Sequence, residues 1–287
     1  AYRLSLLPEE IERERAVILE ESRARKGAQQ RVTEKLFPIL APDSRFSERL
    51  PIGKEEIIAK APLPLFSTYY SKWYRPDIST VMVVGDCDPA LVEKLLTAQF
   101  KAWKPVEKPS PNADPGITAY DELRAAVITD PELTETEVSA IRVGPLTKEV
   151  TVGDMRSRMV DQLGCWIVNR RLGELVQKGE APFQSGSVSV QPFLNVCTYV
   201  DASSTGKPDQ WEPMMKSLLT EVKRAREHGF LEQEFEDAKK ESVEGARQAA
   251  KTESTWDARA FLSRMNSAIS QGRKPMAEAQ RLEIVEA

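Results

Sequence analysis

Residues 104–117, KPVEKPSPNADPGI, hold four prolines, no regular period and few apolar side chains. Proline removes a backbone donor, fixes its own φ and drives the preceding residue to extended backbone, so this stretch belongs to neither helix nor sheet and reads as a linker. Any core has to form separately on each side of it. The chain has 287 residues, 41% of them hydrophobic, enough for two ordinary domains that each bury a core. The expected division is therefore 1–103, a linker at 104–117, and 118–287.

Before the linker, Pro8 stands at a helix-start position ahead of EEIERERAVILEESRARKG, which predicts a helix over 9–26 stopped by Gly27. A second apolar-periodic run, QRVTEKLFPIL, leads into a loop with Pro42, Asp43, Ser44 and Pro51. Two short helical patterns follow, and YRPD, with Pro76, closes them at a turn. STVMVVGD (79–86) is a β-branched run suited to a buried strand, and Asp88-Pro89 then opens the helix ALVEKLLTAQFKAW. Asp86 and Asp88 could be taken for a metal-binding pair, but turn and capping roles account for both.

After the linker, LRAAVITD (123–130) and TEVSAIRVG (136–144) read as two strands joined by a short polar turn. DMRSRMVDQLGCWIVNRRLGELV is a long helix with Met155, Met159, Leu163 and Ile167 on one stripe. Two more strands are expected at SGSVSV and LNVCTYVDA, and three helices occupy the remainder. This order predicts an α+β fold, a largely antiparallel sheet with helices on one face.

Forty basic against 44 acidic side chains leave a net charge of −4, which gives no footprint for nucleic acid or a membrane surface. No stretch has the length and apolarity of a membrane span, and no glycine-rich phosphate loop or G-x-S-x-G elbow occurs. Cys87, Cys165 and Cys197 are far apart beside apolar residues and are expected to be buried free thiols. AYRLSLLPEE opens without methionine or a signal-like core, and RLEIVEA stops within an amphipathic pattern. Both are expected to be cut ends.

On the first helix, positions seven apart share a face, so Glu14 and Glu21 fall in line with Ile11 and Ile18. Carboxylates on an apolar stripe are costly unless paired or metal-bound, although Arg15, Arg23 and Arg25 stand near enough to pair them. The segment Glu14-Arg15-Ala16-Val17-Ile18-Leu19-Glu20-Glu21 resembles the E-R-x-V-x-x-E-E motif of the pitrilysin/insulinase family of zinc metallopeptidases, the inverted zincins. ESRARKGAQQR, SRFSERLPIG and YYSKWYRPD leading to VMVVGDCDP are similar to that family in the expected order, notably its large bacterial processing-protease branch. Beyond the linker, Arg171-Leu172 and HGFLEQEFEDAKKE are similar to its second repeat.

The resemblance implies two α/β roll repeats, the first incomplete: 1–103 the C-terminal part of a catalytic-type repeat, and 118–287 a second, non-catalytic one. It implies Glu21 as the third zinc ligand and Glu14 as a support that orients the site, with two histidines and the general-base glutamate supplied by an H-x-x-E-H helix upstream. His228, the one histidine here, sits at a helix end and cannot replace the pair. The expected whole is a zinc metalloendopeptidase acting on peptides or unfolded proteins, of which this chain alone is inactive and does not retain zinc. Its partners are substrate and the remaining repeats or a family partner subunit. The alternative is a non-catalytic peptide-binding or structural subunit. Similarity to the bacterial branch implies the periplasm. KGEAPFQSG departs from the family in having Phe183 near a position where tyrosine is frequent, which removes a polar contact there.

Overall fold

The computed structural model describes residues 4–49, 52–193 and 195–287. Pro51 of the expected loop and Leu194 of the last expected strand lie outside the described residues, as does the start of the first segment. The chain divides into two compact units, Ala1–Gly116 and Ile117–Ala287.

The first unit is helical: α1 (Pro8–Arg25), α2 (Ala28–Leu40), α3 (Arg45–Glu48), α4 (Glu55–Lys60), α5 (Leu63–Trp73) and α6 (Pro89–Phe100). Pro8 occupies the first turn of α1, where its missing N–H costs nothing. Asp88 caps α6 by accepting from the Ala90 N–H at 2.9 Å. Helix α1 packs through Arg15 and Ser22. Arg15 donates to the carbonyls of Ile58 and Ala61, which the end of α4 leaves without intrahelical partners, and lies 5.4 Å from the Phe66 ring centre. Buried Ser22 donates to Glu55 at 2.8 Å. Arg75, 4% exposed, pairs with Asp77 at 3.1 Å and donates to the Ser110 carbonyl at 2.9 Å, fastening the proline-rich segment beside α5.

In the second unit, β1 (Thr136–Pro145) precedes the long helix α7 (Val152–Gln177). The strands β2 (Ser185–Phe193) and β3 (Cys197–Gly206) follow, and then come α8 (Trp211–His228), α9 (Glu232–Thr252), α10 (Ala258–Ser270) and α11 (Glu278–Glu286). The sheet order is β1-β3-β2, antiparallel throughout, with Val138 opposite Ser204 and Val188 opposite Ala202. Val138, Val188 and Ala202 therefore share one face, and there they meet Val168 and Leu172 of α7, Met214 and Leu218 of α8, and Phe183. Leu172, Met214 and Leu218 are fully buried. At Gly206 an added Cβ would lie 3.0 Å from the Met214 sulfur and 3.3 Å from the Phe183 Cα, so glycine is what lets β3 approach α8. The predicted α+β class holds, with a small antiparallel sheet and helices on one face.

Two expected strands differ. Neither 79–86 nor 123–130 joins a ladder among the described residues. Val81, Val83, Leu123 and Val127 are exposed instead. A strand is completed by a neighbour that satisfies its N–H and C=O groups, and no described strand pairs with either run. The antiparallel pairing comes from β2–β3 and β1–β3 rather than from the expected hairpin at 123–144. The cysteines also differ in part. Cys197 is buried and Cys165 partly so, but Cys87 is exposed, in the turn between the run at 79–86 and α6.

Candidate functional site

Glu14 and Glu21 lie two turns apart on one flank of α1, and both are exposed. The buried stripe runs beside them, through Arg15 and Ser22 with half-buried Ile11 and Ile18 between. The expectation that both carboxylates sit within the packed apolar stripe is thus corrected. At 100° per residue the packed face centres on positions 11, 15, 18 and 22, which leaves 14 and 21 at its margin. Of the arginines near them, Arg15 and Arg23 are engaged elsewhere. Glu10, Glu12 and Glu20 are each held by the arginine three residues on, Arg13, Arg15 and Arg23. Among the described residues, Glu14 and Glu21 have no ion-pair or hydrogen-bond partner.

Zinc peptidase sites use three protein donors and leave a position for water. On this face α1 supplies carboxylates only. His228 is exposed at the end of α8, where Gly229 at φ 69° ends the helix. Among the described residues no three His, Cys, Asp or Glu side chains come together as a metal site. The donor set present here therefore accommodates one carboxylate ligand and does not complete a zinc site, and no hydrolytic step is derived from it. Asp88 is used as a cap, and Asp86 is exposed at the turn before it.

The second unit's family-like words fold into a clamp that the sequence did not announce. Arg171, 8% exposed, reaches both oxygens of Glu234, with Nε to Oε1 at 2.7 Å and Nη2 to Oε2 at 2.6 Å, and donates to the Gly229 carbonyl at 3.3 Å. Its guanidinium stands 5.4 Å from the Phe230 ring centre. Glu234 also accepts the Leu231 N–H at 2.8 Å, closing the first turn of α9. The Arg171 guanidinium holds the Glu234 carboxyl down at about 2. The clamp binds α7 to the α8–α9 turn and is structural. Phe183, 5% exposed, belongs to the core beneath the sheet and presents no polar group there.

The opposite sheet face is mixed, with buried Val143 and Cys197 at one end and polar residues toward the other. Asp201 accepts from Ser203 at 2.9 Å, and burial raises its carboxyl above the usual range, aided by Glu137. Burial likewise pushes the neighbouring Tyr199 phenol up to about 12. Alternation along β3 carried this signal, since Tyr199, Asp201 and Ser203 fall on the face away from Ala202 and Ser204.

The family model described as the peptidase M16 inactive domain matches residues 65–242. The chain is 28% identical over 266 residues to the probable zinc protease PqqL of Escherichia coli K12, a match covering 90% of this chain and 28% of that protein. It is 22% identical over 291 residues to the chloroplastic stromal processing peptidase of Arabidopsis thaliana, covering 82% of this chain and 23% of that protein. The solved first half of the periplasmic protease PqqL from Escherichia coli superposes with a TM-score of 0.89 at 22% identity, over 98% of this chain and 60% of that one. The chain belongs to the M16 peptidases, the pitrilysin/insulinase family. It spans about a quarter of the length of the curated relatives it matches. Those relatives include proteins named as zinc proteases, and among the described residues no helix is long and apolar enough to cross a membrane.

Proposed function

We propose that this chain is a segment of a zinc-dependent metalloendopeptidase acting on peptides or unfolded proteins. In this reading residues 1–103 contribute the distal part of a catalytic repeat and 118–287 form a non-catalytic repeat that helps enclose the peptide. Glu21 is the third zinc ligand and Glu14 orients the site by hydrogen bonding, while an H-x-x-E-H segment outside these residues supplies the two imidazoles and the base. When bound, zinc acidifies a water for attack on a peptide carbonyl. The carrying observation is that Glu14 and Glu21 fall on one face of α1, two turns apart and without a partner among the described residues, as first-turn Glu9 also is, while the acids at 10, 12 and 20 are engaged by arginine.

The test is Glu21→Gln in the longer protein that carries this chain. Zinc content and peptide hydrolysis should fall together, with Glu14→Gln giving a smaller loss of zinc. Wild-type metal occupancy in the Glu21 variant overturns the assignment, as does a parent sequence without H-x-x-E-H ahead of Glu14. The second reading, a non-catalytic peptide-binding or structural subunit, is favoured by the family model's description as an inactive domain. It predicts no zinc in the parent protein at all. Likeness to a periplasmic protease supports a periplasmic location, tested by fractionating cells that express the parent gene.

A further inference from the structure

A cavity of about 760 Å³ lies wholly within the second unit, between the segment ahead of α7, the first turns of α7, and α10 with the loop that joins it to α11. Its charge is unbalanced. Arg158, Arg264, Arg273, Lys274 and Arg281 line it, against Glu149 and Glu253, with buried Glu278 paired to Arg264 from outside the lining. Each of two carboxylates is shared by two arginines. Glu149 lies 2.5 Å from Arg158 and 3.6 Å from Arg273, while buried Glu278 pairs with Arg264 and, at 3.6 Å, with Arg281. The Glu253 carboxylate is taken up by the Glu278 N–H at 3.1 Å, which caps α11.

Two positive charges are therefore left over in a chain whose net charge is −4. Lys274, at the exposed mouth, has no ion-pair partner among the described residues, and although the Arg273 guanidinium donates to Gln271, its buried Nε has no hydrogen-bond acceptor. An unmet buried donor is expensive, and an anion relieves it. Burial lowers the affinity of Arg264 and Arg273 for their protons, and the neighbouring arginines lower it further, which is the signature of crowded, undercompensated cations.

The remaining wall is apolar and soft. Trp256 and Phe261 stand 5.5 Å apart, Arg264 lies 5.3 Å from the Trp256 ring centre, and Met155, Met265 and Met276 complete the lining. A bare inorganic anion would leave that wall wet. A carboxylate carried on an apolar body satisfies both halves, and the volume is that of an ordinary small-ligand site.

We infer that this cavity binds a carboxylate attached to a large apolar group, as at the end of a peptide that terminates in an aromatic residue or at an acidic side chain beside one. The choice of a peptide as carrier rests on the peptidase reading above, whereas the preference for an apolar carboxylate rests on the cavity.

The test uses the 287-residue chain and four probes: a labelled peptide ending in phenylalanine with a free carboxylate, its C-terminal amide, an amidated peptide with glutamate beside phenylalanine, and phenylpropionate. The free-carboxylate peptide should bind at least about tenfold more tightly than its amide, and added salt should weaken it. Lys274→Gln should weaken binding several-fold with an unchanged thermal midpoint. Arg273→Gln should do so even where it also lowers the midpoint. Equal binding of the glutamate peptide supports the site and makes an internal acid sufficient; its failure supports the site and assigns the chain end. Phenylpropionate binding with all peptides silent keeps the cavity's chemistry but removes the peptide carrier. Equal affinity for acid and amide, an unaffected Lys274 variant, or silence from all four probes overturns the inference and leaves the Glu21 assignment untouched.

Discussion

Arg171 and Glu234 are 63 residues apart in sequence and meet through two parallel hydrogen bonds of 2.7 and 2.6 Å. The fork-to-fork geometry fixes the direction of α7 against the turn into α9, and because both groups are largely withdrawn from water the pair is not a screened surface contact.

Acid should weaken this pair before it weakens the core. The Glu234 carboxyl sits at about 2, below its ordinary 4.5. A depressed acid contributes its stability fully above the unfolded value and loses it as pH falls through the folded one, so the loss runs from about pH 5 down toward pH 2. Allowing for the 22% exposure of the Glu234 side chain, the contribution at neutral pH is about 2 kcal/mol. Urea unfolding of wild type and Glu234→Gln should differ by roughly that amount at pH 7, narrow as pH falls below about 5, and converge only toward about pH 2. A gap that stays constant with pH would refute the assignment.

Leu172 is fully buried between the sheet and α8. Leu172→Ala should lower unfolding free energy by about 2–5 kcal/mol through lost transfer energy and a residual cavity. A denaturant midpoint within error of wild type would show that the core is not where the contacts put it.

Arg75 is the tie between α5 and the proline-rich segment. Arg75→Lys keeps the charge but loses the planar fork that serves Asp77 and the Ser110 carbonyl together. Limited proteolysis should then cut within 104–117 several times faster, while cleavage rates elsewhere stay unchanged.

Glu14→Gln and Glu21→Gln should each change the stability of this chain by less than about 0.5 kcal/mol, because neither carboxylate has a partner to lose. Calorimetry on the isolated chain checks this. A loss above about 1 kcal/mol in either variant would mean that the carboxylates already hold the fold together, which would weaken their reading as reserved ligands.

The helices were legible because their signals are local. Pro8, the Asp88-Pro89 start and the apolar stripe from Met155 to Ile167 each lie within a few turns of what they determine. Helix α1 was read correctly in extent but not in facing, since the side chain that reaches inward is Arg15, whose apolar stem buries while its head meets the carbonyls ending α4. The runs at 79–86 and 123–130 have strand composition, but composition does not supply a neighbour. The Arg171 clamp and the cationic cavity join residues tens of positions apart with no shared period, so neither could be found along the chain. Of the candidate zinc site, the motif indicated Glu14 and Glu21; only coordinates revealed that Glu10, Glu12 and Glu20 are held by arginine while these two are not.

Those strand-like runs bear on how the polypeptide behaves in a tube. Val81, Val83, Leu123 and Val127 are β-favouring or apolar residues facing solvent on stretches that no described strand covers. Such stretches stick to one another, and they do so more as concentration rises. Purified alone, this segment is expected to self-associate and to be caught by chaperones, and charged substitutions at Val83 and Val127 are the direct remedy for anyone preparing it.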